Sequence, residues 1–381
     1  MTKERVLGNA RIVTADETVA GAVLLRGGLI ADITRGPVAT MDVDLDDAYL
    51  MPGLVELHTD HLEHHYRPRP GVAWPAVGAL IAHDAQIAAA GITTVFDALR
   101  AGTFDTEDSP LRRANGELCR AIASARGSAM LRADHRIHLR CELPCADTLD
   151  SAEELVADGL VDLVSVMDHT PGERQFVSLD KFREYYLGKN IMTAERLEAF
   201  IAERRELNIL HSARNRRAIA DLASANGLKL ASHDDATLAH VAEAVADGVA
   251  ISEFPTTGEA ARAAHAAGLS VLMGAPNLVR GGSHSGNIPT LDVARARCLD
   301  LMSSDYVPVS LLHAAFALPE KAPGIGLPEA VNIVSRNPAR VMGLDDRGEI
   351  AAGKRADLIE VRRVDGFPVV RSVWRAGERV L

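Results

Sequence analysis

The stretch Leu54-Val-Glu-Leu-His58-Thr-Asp60 is a short apolar run that ends on two side chains able to hold a metal ion. Alternation along a strand puts His58 and Asp60 on one face, so both point the same way from its tip. Seven further runs of this kind follow, at 92–97, 137–143, 163–169, 228–233, 249–254, 270–275 and 299–305. Between them lie Ala-rich stretches with helical spacing, such as 76–90 and 259–267. Apolar runs alternating with helices mark parallel βαβ units, and eight of them predict an α/β fold, a closed TIM-like (β/α)8 barrel. A doubly wound open sheet is the alternative.

Outside the barrel the pattern changes. Short β-like pieces broken by glycine fill the first fifty or so residues, for example Gly21-Ala-Val-Leu-Leu-Arg. The last part of the chain reads the same way, with Arg355-Ala-Asp-Leu-Ile-Glu-Val and Pro368-Val-Val-Arg-Ser-Val-Trp. The two ends, 1–52 and 345–381, therefore predict one small β-sandwich domain assembled from both termini, with the barrel spanning 53–344. The connection 170–227 is longer than an ordinary helix needs and is rich in Arg, Lys and Tyr, which marks it as an insert.

In such a barrel the catalytic groups come from the C-terminal ends of the strands. The runs end on His58 and Asp60, on Glu142, on His169, on His233 and on Asp305. A lone His at a strand end is more often an ordinary satisfied polar group, and a lone Asp305 would serve as a helix cap. Five tips of eight carrying His or carboxylate together are harder to explain that way. We read His58, Asp60, Glu142, His169 and His233 as ligands of a divalent metal, with Glu142 able to bridge two ions. Imidazole and carboxylate donors suit Zn, with Mn, Fe or Ni as alternatives. Asp305 is best placed as the general base that takes a proton from the attacking water. His138 and Arg140 share the parity of Glu142 and point inward below it, either orienting it or touching substrate. His61, His64 and His65 crowd the loop after the first ligands, and Asp234 and Asp235 follow His233.

Bulk properties narrow the function classes. Net charge is −11, which disfavours a nucleic-acid partner but leaves room for a local arginine cluster that binds a small anion. No apolar run approaches the ~18 residues of a membrane span. The four cysteines form no CxxC pair, and we read them as reduced thiols of a cytoplasmic protein.

Two segments carry a resemblance. Met51-Pro-Gly-Leu-Val-Glu-Leu-His-Thr-Asp and Gly348-Glu-Ile-Ala-Ala-Gly-Lys-Arg-Ala-Asp-Leu resemble the amidohydrolase superfamily, which pairs a β/α barrel with a split β-sandwich and uses one or two metals. The usual first motif there is His-x-His, and this chain departs from it with His58-x-Asp60. Longer strings, among them Arg67-Pro-Arg-Pro, His135-Arg-Ile-His-Leu-Arg-Cys-Glu-Leu-Pro, Met167-Asp-His-Thr-Pro-Gly-Glu-Arg-Gln-Phe and Ser232-His-Asp-Asp-Ala-Thr, resemble the phosphonate-metabolism M proteins of the carbon–phosphorus lyase pathway. So do Glu253-Phe-Pro-Thr-Thr and Met273-Gly-Ala-Pro-Asn-Leu-Val-Arg-Gly-Gly-Ser-His-Ser-Gly-Asn. That resemblance implies a diphosphatase acting on a ribose 5-triphosphate that carries a 1-methylphosphonate, and a homodimer.

The residues themselves agree with an anionic substrate. Arg280-Gly-Gly-Ser283-His284-Ser-Gly-Asn follows the seventh run, where barrel enzymes often hold phosphate, and its glycines let backbone N–H groups approach an anion. Arg67 and Arg69 stand on a proline-stiffened loop, and Arg174 opens the insert; the arginine fork matches phosphate geometry. We therefore expect Arg67, Arg69, Arg174, Arg280, Ser283 and His284 to bind substrate. Two rivals remain: hydrolysis of a C–N bond in a cyclic amide or N-acyl compound, and a catalytically silent barrel acting as a scaffold.

Overall fold

The computed structural model describes residues 4–104, 110–175, 179–180, 182–183, 193–283 and 286–381. The chain opens with β1 (Glu4–Val13), β2 (Thr18–Arg26), β3 (Leu29–Arg35), β4 (Val43–Asp44) and β5 (Tyr49–Pro52). It then runs through β6 (Leu54–Thr59), β7 (Ile92–Ala101), β8 (Asp134–Glu142), β9 (Leu163–Met167), β10 (Lys229–His233), β11 (Ile251–Glu253), β12 (Ser270–Gly274) and β13 (Leu301–Ser303). Strands β14 (Leu358–Val364), β15 (Phe367–Arg375) and β16 (Glu378–Arg379) close it.

Strands β6 to β13 pair in sequence order, each parallel to the next. Side chains span the seam between the first and the last. Ser303 Oγ donates to His58 O, Thr59 Oγ1 donates to Asp305 O at 2.8 Å, and Ser304 N donates to Glu56 Oε2 at 2.6 Å. The result is the expected TIM-like barrel. Its interior below the site is packed by Val55, Leu57, Phe96, Leu163, Ile251 and Leu272, with further residues from β10 and β13. Phe96 is fully buried there, and truncating it to Ala costs about 3–5 kcal/mol.

The other sheet has the order β16-β15-β14-β5-β1-β2-β3, with β4 beside β1, so both ends of the chain build it. Three contacts dock it on the barrel floor. Arg347 Nη1 donates to Asp134 Oδ2 at 2.6 Å and to Thr94 Oγ1 at 3.1 Å, and Arg375 Nη1 donates to Ala133 O at 2.8 Å. Gly53 marks the crossing from sheet to barrel. A Cβ there would stand 2.2 Å from Thr93 Oγ1, so only glycine lets β6 start against β7.

The long connection after β9 holds a helix of 32 residues, Ala194–Ala225, capped by Thr193 Oγ1. At 1.5 Å per residue it runs about 48 Å. It also positions the site. Asn215 Nδ2 donates to Leu143 O and Cys145 O, each at 2.9 Å, and Asn208 Nδ2 and Ser212 Oγ donate to Asp168 Oδ2. The exits of β8 and β9 are thus tied to one rigid rod.

Candidate active site

A cavity of about 350 Å³ opens at the C-terminal end of the barrel. His58, Asp60, His169, His233 and Asp305 all line it, as do Arg140 and Asp234. Register explains part of this. The β6–β7 pairing shifts between Glu56 and Thr59, so Leu57 packs in the barrel interior while the next residue, His58, still faces the cavity. His169 lies two residues beyond β9 and Asp305 two beyond β13, further out than unbroken runs to 169 and 305 would place them. Three residues at strand exits, Asp234, Phe254 and Asp305, have φ of 58°, 52° and 52°. Such left-handed backbone is strained for residues other than glycine and concentrates at functional sites.

Each cavity imidazole is held from behind by a buried carboxylate. His58 Nδ1 donates to Glu253 Oε1 and His233 Nδ1 donates to Glu253 Oε2, both at 2.7 Å. His169 Nδ1 donates to Glu142 Oε2 at 2.6 Å. Burial raises the pKa of both carboxyl groups, but the histidines more than offset it. Glu142 is held at about 2 with His169 as the main counterweight, and Glu253 is held well below the usual range by His58 and His138. Carboxylates that stay charged must accept, so Nδ1 carries a proton on all three rings, and Nε2 is the ring nitrogen these carboxylates leave unengaged. This is the carboxylate–histidine arrangement that orients metal ligands.

The donor set fits a divalent cation. Ligand atoms of His169, His233 and Asp234 lie within 4.8 Å of one another. Among the described residues, Asp60 Oδ1 and Asp234 Oδ2 are buried and accept no hydrogen bond, though His233 Nε2 stands 3.4 Å from Asp234 Oδ2; such oxygens suit an ion. Asp305 is held in place through its backbone: its N donates to Ser303 Oγ at 3.0 Å and its carbonyl accepts from Thr59. Burial raises its carboxyl pKa, with Asp60 adding to the effect.

Several expected roles change. Glu142 does not reach the cavity with a free oxygen; Oε1 accepts from His169 N at 3.0 Å and Oε2 from His169 Nδ1, so it positions His169 instead of bridging ions. Arg174 is buried in ion pairs with Asp235 and Glu243 and is not a cavity residue, so its charge is already neutralised within the protein. Arg67 and Arg69 are exposed and outside the cavity wall. Arg280 and Ser283 do line it, and Arg280 Nη1 donates to Tyr306 Oη at 3.4 Å. His284 lies outside the described residues, as do Lys181, Tyr185, Tyr186 and Lys189 of the insert. Glu253 and Asp234 were not among the expected ligands. The position of Glu253 at the end of the sixth run, level with His233, is the signal that pointed to it.

The loop histidines belong to a separate group. His61 and His65 share Gln86 Oε1, each with Nε2 at 3.1 Å. Nearby, His83, Asp97 and His135 cluster between the barrel wall and helix Ala76–Ala89. Asp97 accepts from His83 Nε2 at 2.8 Å and from His135 Nδ1 at 2.7 Å, while Asp84 pairs with Arg132 and His135. Burial opposes charge on His135, yet Asp97 and Asp84 lift its pKa to about 9. Two carboxylates against one imidazolium and one guanidinium balance, and the cluster needs no ion. The four cysteines are free and buried. Among the described residues no helix is long and apolar enough to cross a membrane.

Comparison with known proteins places these features in context. A profile of the amidohydrolase family matches residues 85–381. The alpha-D-ribose 1-methylphosphonate 5-triphosphate diphosphatase of Escherichia coli (strain K12) is 46% identical over 378 residues, 98% of this chain and 100% of that one. Among solved structures, the 5-methylcytosine deaminase of Klebsiella pneumoniae liganded with phosphonocytosine superposes with a TM-score of 0.66 at 16% identity, covering 99% of this chain and 98% of the other. The N-acetylglucosamine-6-phosphate deacetylase of Pasteurella multocida gives 0.61 at 14% identity, covering 99% of each.

Proposed function

The chain belongs to the amidohydrolase family, and from that premise we propose that it hydrolyses alpha-D-ribose 1-methylphosphonate 5-triphosphate to the 5-phosphate and diphosphate. The observation that carries this reading is a likeness to the Escherichia coli diphosphatase that runs the length of both chains. His58, Asp60, His169 and His233 would hold the metal, with Asp234 beside them, and zinc suits these nitrogen and oxygen donors. When bound, the metal supplies a Lewis acid that polarises a phosphoryl oxygen.

The remaining chemistry falls to the chain itself. Glu253 and Glu142 keep the three imidazoles aimed into the cavity. Asp305, with its raised pKa, accepts the proton of the attacking water. Arg280 and Ser283 at the cavity wall offer donors to the triphosphate. The test is a pair of assays on metal-loaded protein, one reading diphosphate release from the triphosphate, the other ring opening of a dihydropyrimidine. Diphosphate release without ring opening is expected. Ring opening alone would return the protein to C–N hydrolysis, the commoner reaction of such barrels.

A further inference from the structure

We propose that Arg140 is a catalytic residue of this site, its guanidinium gripping the non-bridging oxygens of the phosphoryl group under attack. The proposal rests on the diphosphatase reading above and deepens it. Arg140 projects from β8 between His138 and Glu142, and its side chain, 12% exposed, lines the cavity with His58, Asp60 and Asp305.

What sets it apart is its lack of hydrogen-bond partners. Among the described residues Arg140 makes no hydrogen bond; its Nε is buried and unpartnered, the carboxylate paired with it, Asp60 Oδ2, stands 3.7 Å from Nη1, and Asp305 and Glu63 feel its charge from further away. Buried Arg174 and Arg347 are treated differently: Arg174 donates to Asp235 and Glu243, and Arg347 to Asp134 and Asp346. A guanidinium carries five N–H donors, and leaving them unmatched inside a protein is costly. Nearly enclosed yet facing open cavity space, Arg140 has donors available for an anionic ligand.

Position narrows the ligand. Arg280 pairs with Tyr306, whereas Arg140 stands 3.7 Å from Asp60 of the proposed metal-ligand set, where the reacting atom must lie. An amide carbon presents no charge there in its ground state. A phosphoric anhydride does, and a planar fork matches two of its oxygens at once. In the step itself, the water oxygen forms a bond to phosphorus and the bridging P–O bond breaks. The electron pair of that bond leaves on an oxygen and the water proton passes to Asp305. Attack at the α- or the β-phosphorus yields the same two products. Arg140 neither gains nor loses a proton, and offsets charge throughout.

Metal-loaded wild type, Arg140→Ala and Arg140→Lys separate the possibilities. Turnover of the triphosphate, metal per chain, and calorimetric binding of inorganic diphosphate are measured on each. Arg140→Ala is expected to lose about 10²–10³-fold in kcat with a smaller change in KM. It should bind diphosphate at least ~10-fold more weakly while holding its metal, and added guanidinium should restore part of its rate. Arg140→Lys keeps the charge without the fork and should recover only part. Wild-type turnover with an unimpaired Arg140→Ala overturns the role of Arg140 alone, and so does metal loss that accounts for the lost rate. Wild type that releases no diphosphate contradicts the underlying reading instead.

Discussion

Glu253 lies outside the cavity wall, yet it fixes two of the three imidazoles that form it. Each of its oxygens accepts one Nδ1–H. Glu253→Gln replaces one acceptor by a donor, so one of those histidines must turn or switch tautomer. Metal affinity should fall about 10–100-fold, read by competition with a chromogenic chelator. Unchanged affinity would mean that the carboxylate does not set the geometry. Asp305 has the opposite character, facing the cavity with a pKa raised by burial. Asp305→Asn should lose about 10²–10⁴-fold in kcat with metal content intact; full activity would remove it as the base. Position at the run ends placed His58, Asp60, His169, His233 and Asp305 toward one cavity. Parity gives direction but not depth, which is why it could not separate Glu142, spent on His169, from a free ligand.

Helix Ala76–Ala89 is clamped to the barrel wall by a charged cluster of His83 and Asp84 against Asp97 and His135. The His135 pKa, near 9, lies above its ordinary value, so its contribution is fully present below about pH 6.5 and fades as pH rises through 9. Asp97, near 2, works in the other direction and loses its contribution only as pH falls from about 4 toward 2. His135→Gln should therefore lower stability by about 3 kcal/mol at pH 6, and the gap to wild type should narrow by pH 9.5 in denaturant titrations. A gap constant with pH would mean that the imidazole packs there uncharged. Hydrophobic runs located the strands well but overstated β11 and β13, which have three paired residues each. The runs at 249–254 and 299–305 continue past the ladder into exits where Phe254 and Asp305 turn left-handed. Helix Ala194–Ala225 was harder to read, because a rod with much exposed surface carries no regular apolar stripe.

At the scale of the molecule, a chain of net charge −11 carries its cations locally, with Arg140 and Arg280 on the wall of a cavity that also collects three histidines and three aspartates. The alternation of runs and helices foretold the barrel, and the glycine-broken β pieces at both ends foretold the second sheet, since each pattern follows from which faces must be buried. Long-range pairings were beyond that reading: a single carboxylate joining β6 and β10, or a helix pinning two strand exits, depends on contacts distant in sequence. If the donors are preformed for an ion, adding zinc to chelator-treated protein should raise its Tm, by about 2.7 kcal/mol of added stability at a hundredfold excess over Kd. No shift would contradict a metal bound by the folded state. The most direct test of the whole account is a ³¹P NMR time course of metal-loaded protein with alpha-D-ribose 1-methylphosphonate 5-triphosphate. Diphosphate and the 5-phosphate should grow in equal amounts while the phosphonate signal stays intact; orthophosphate as the first product, or an unchanged triphosphate, would contradict it.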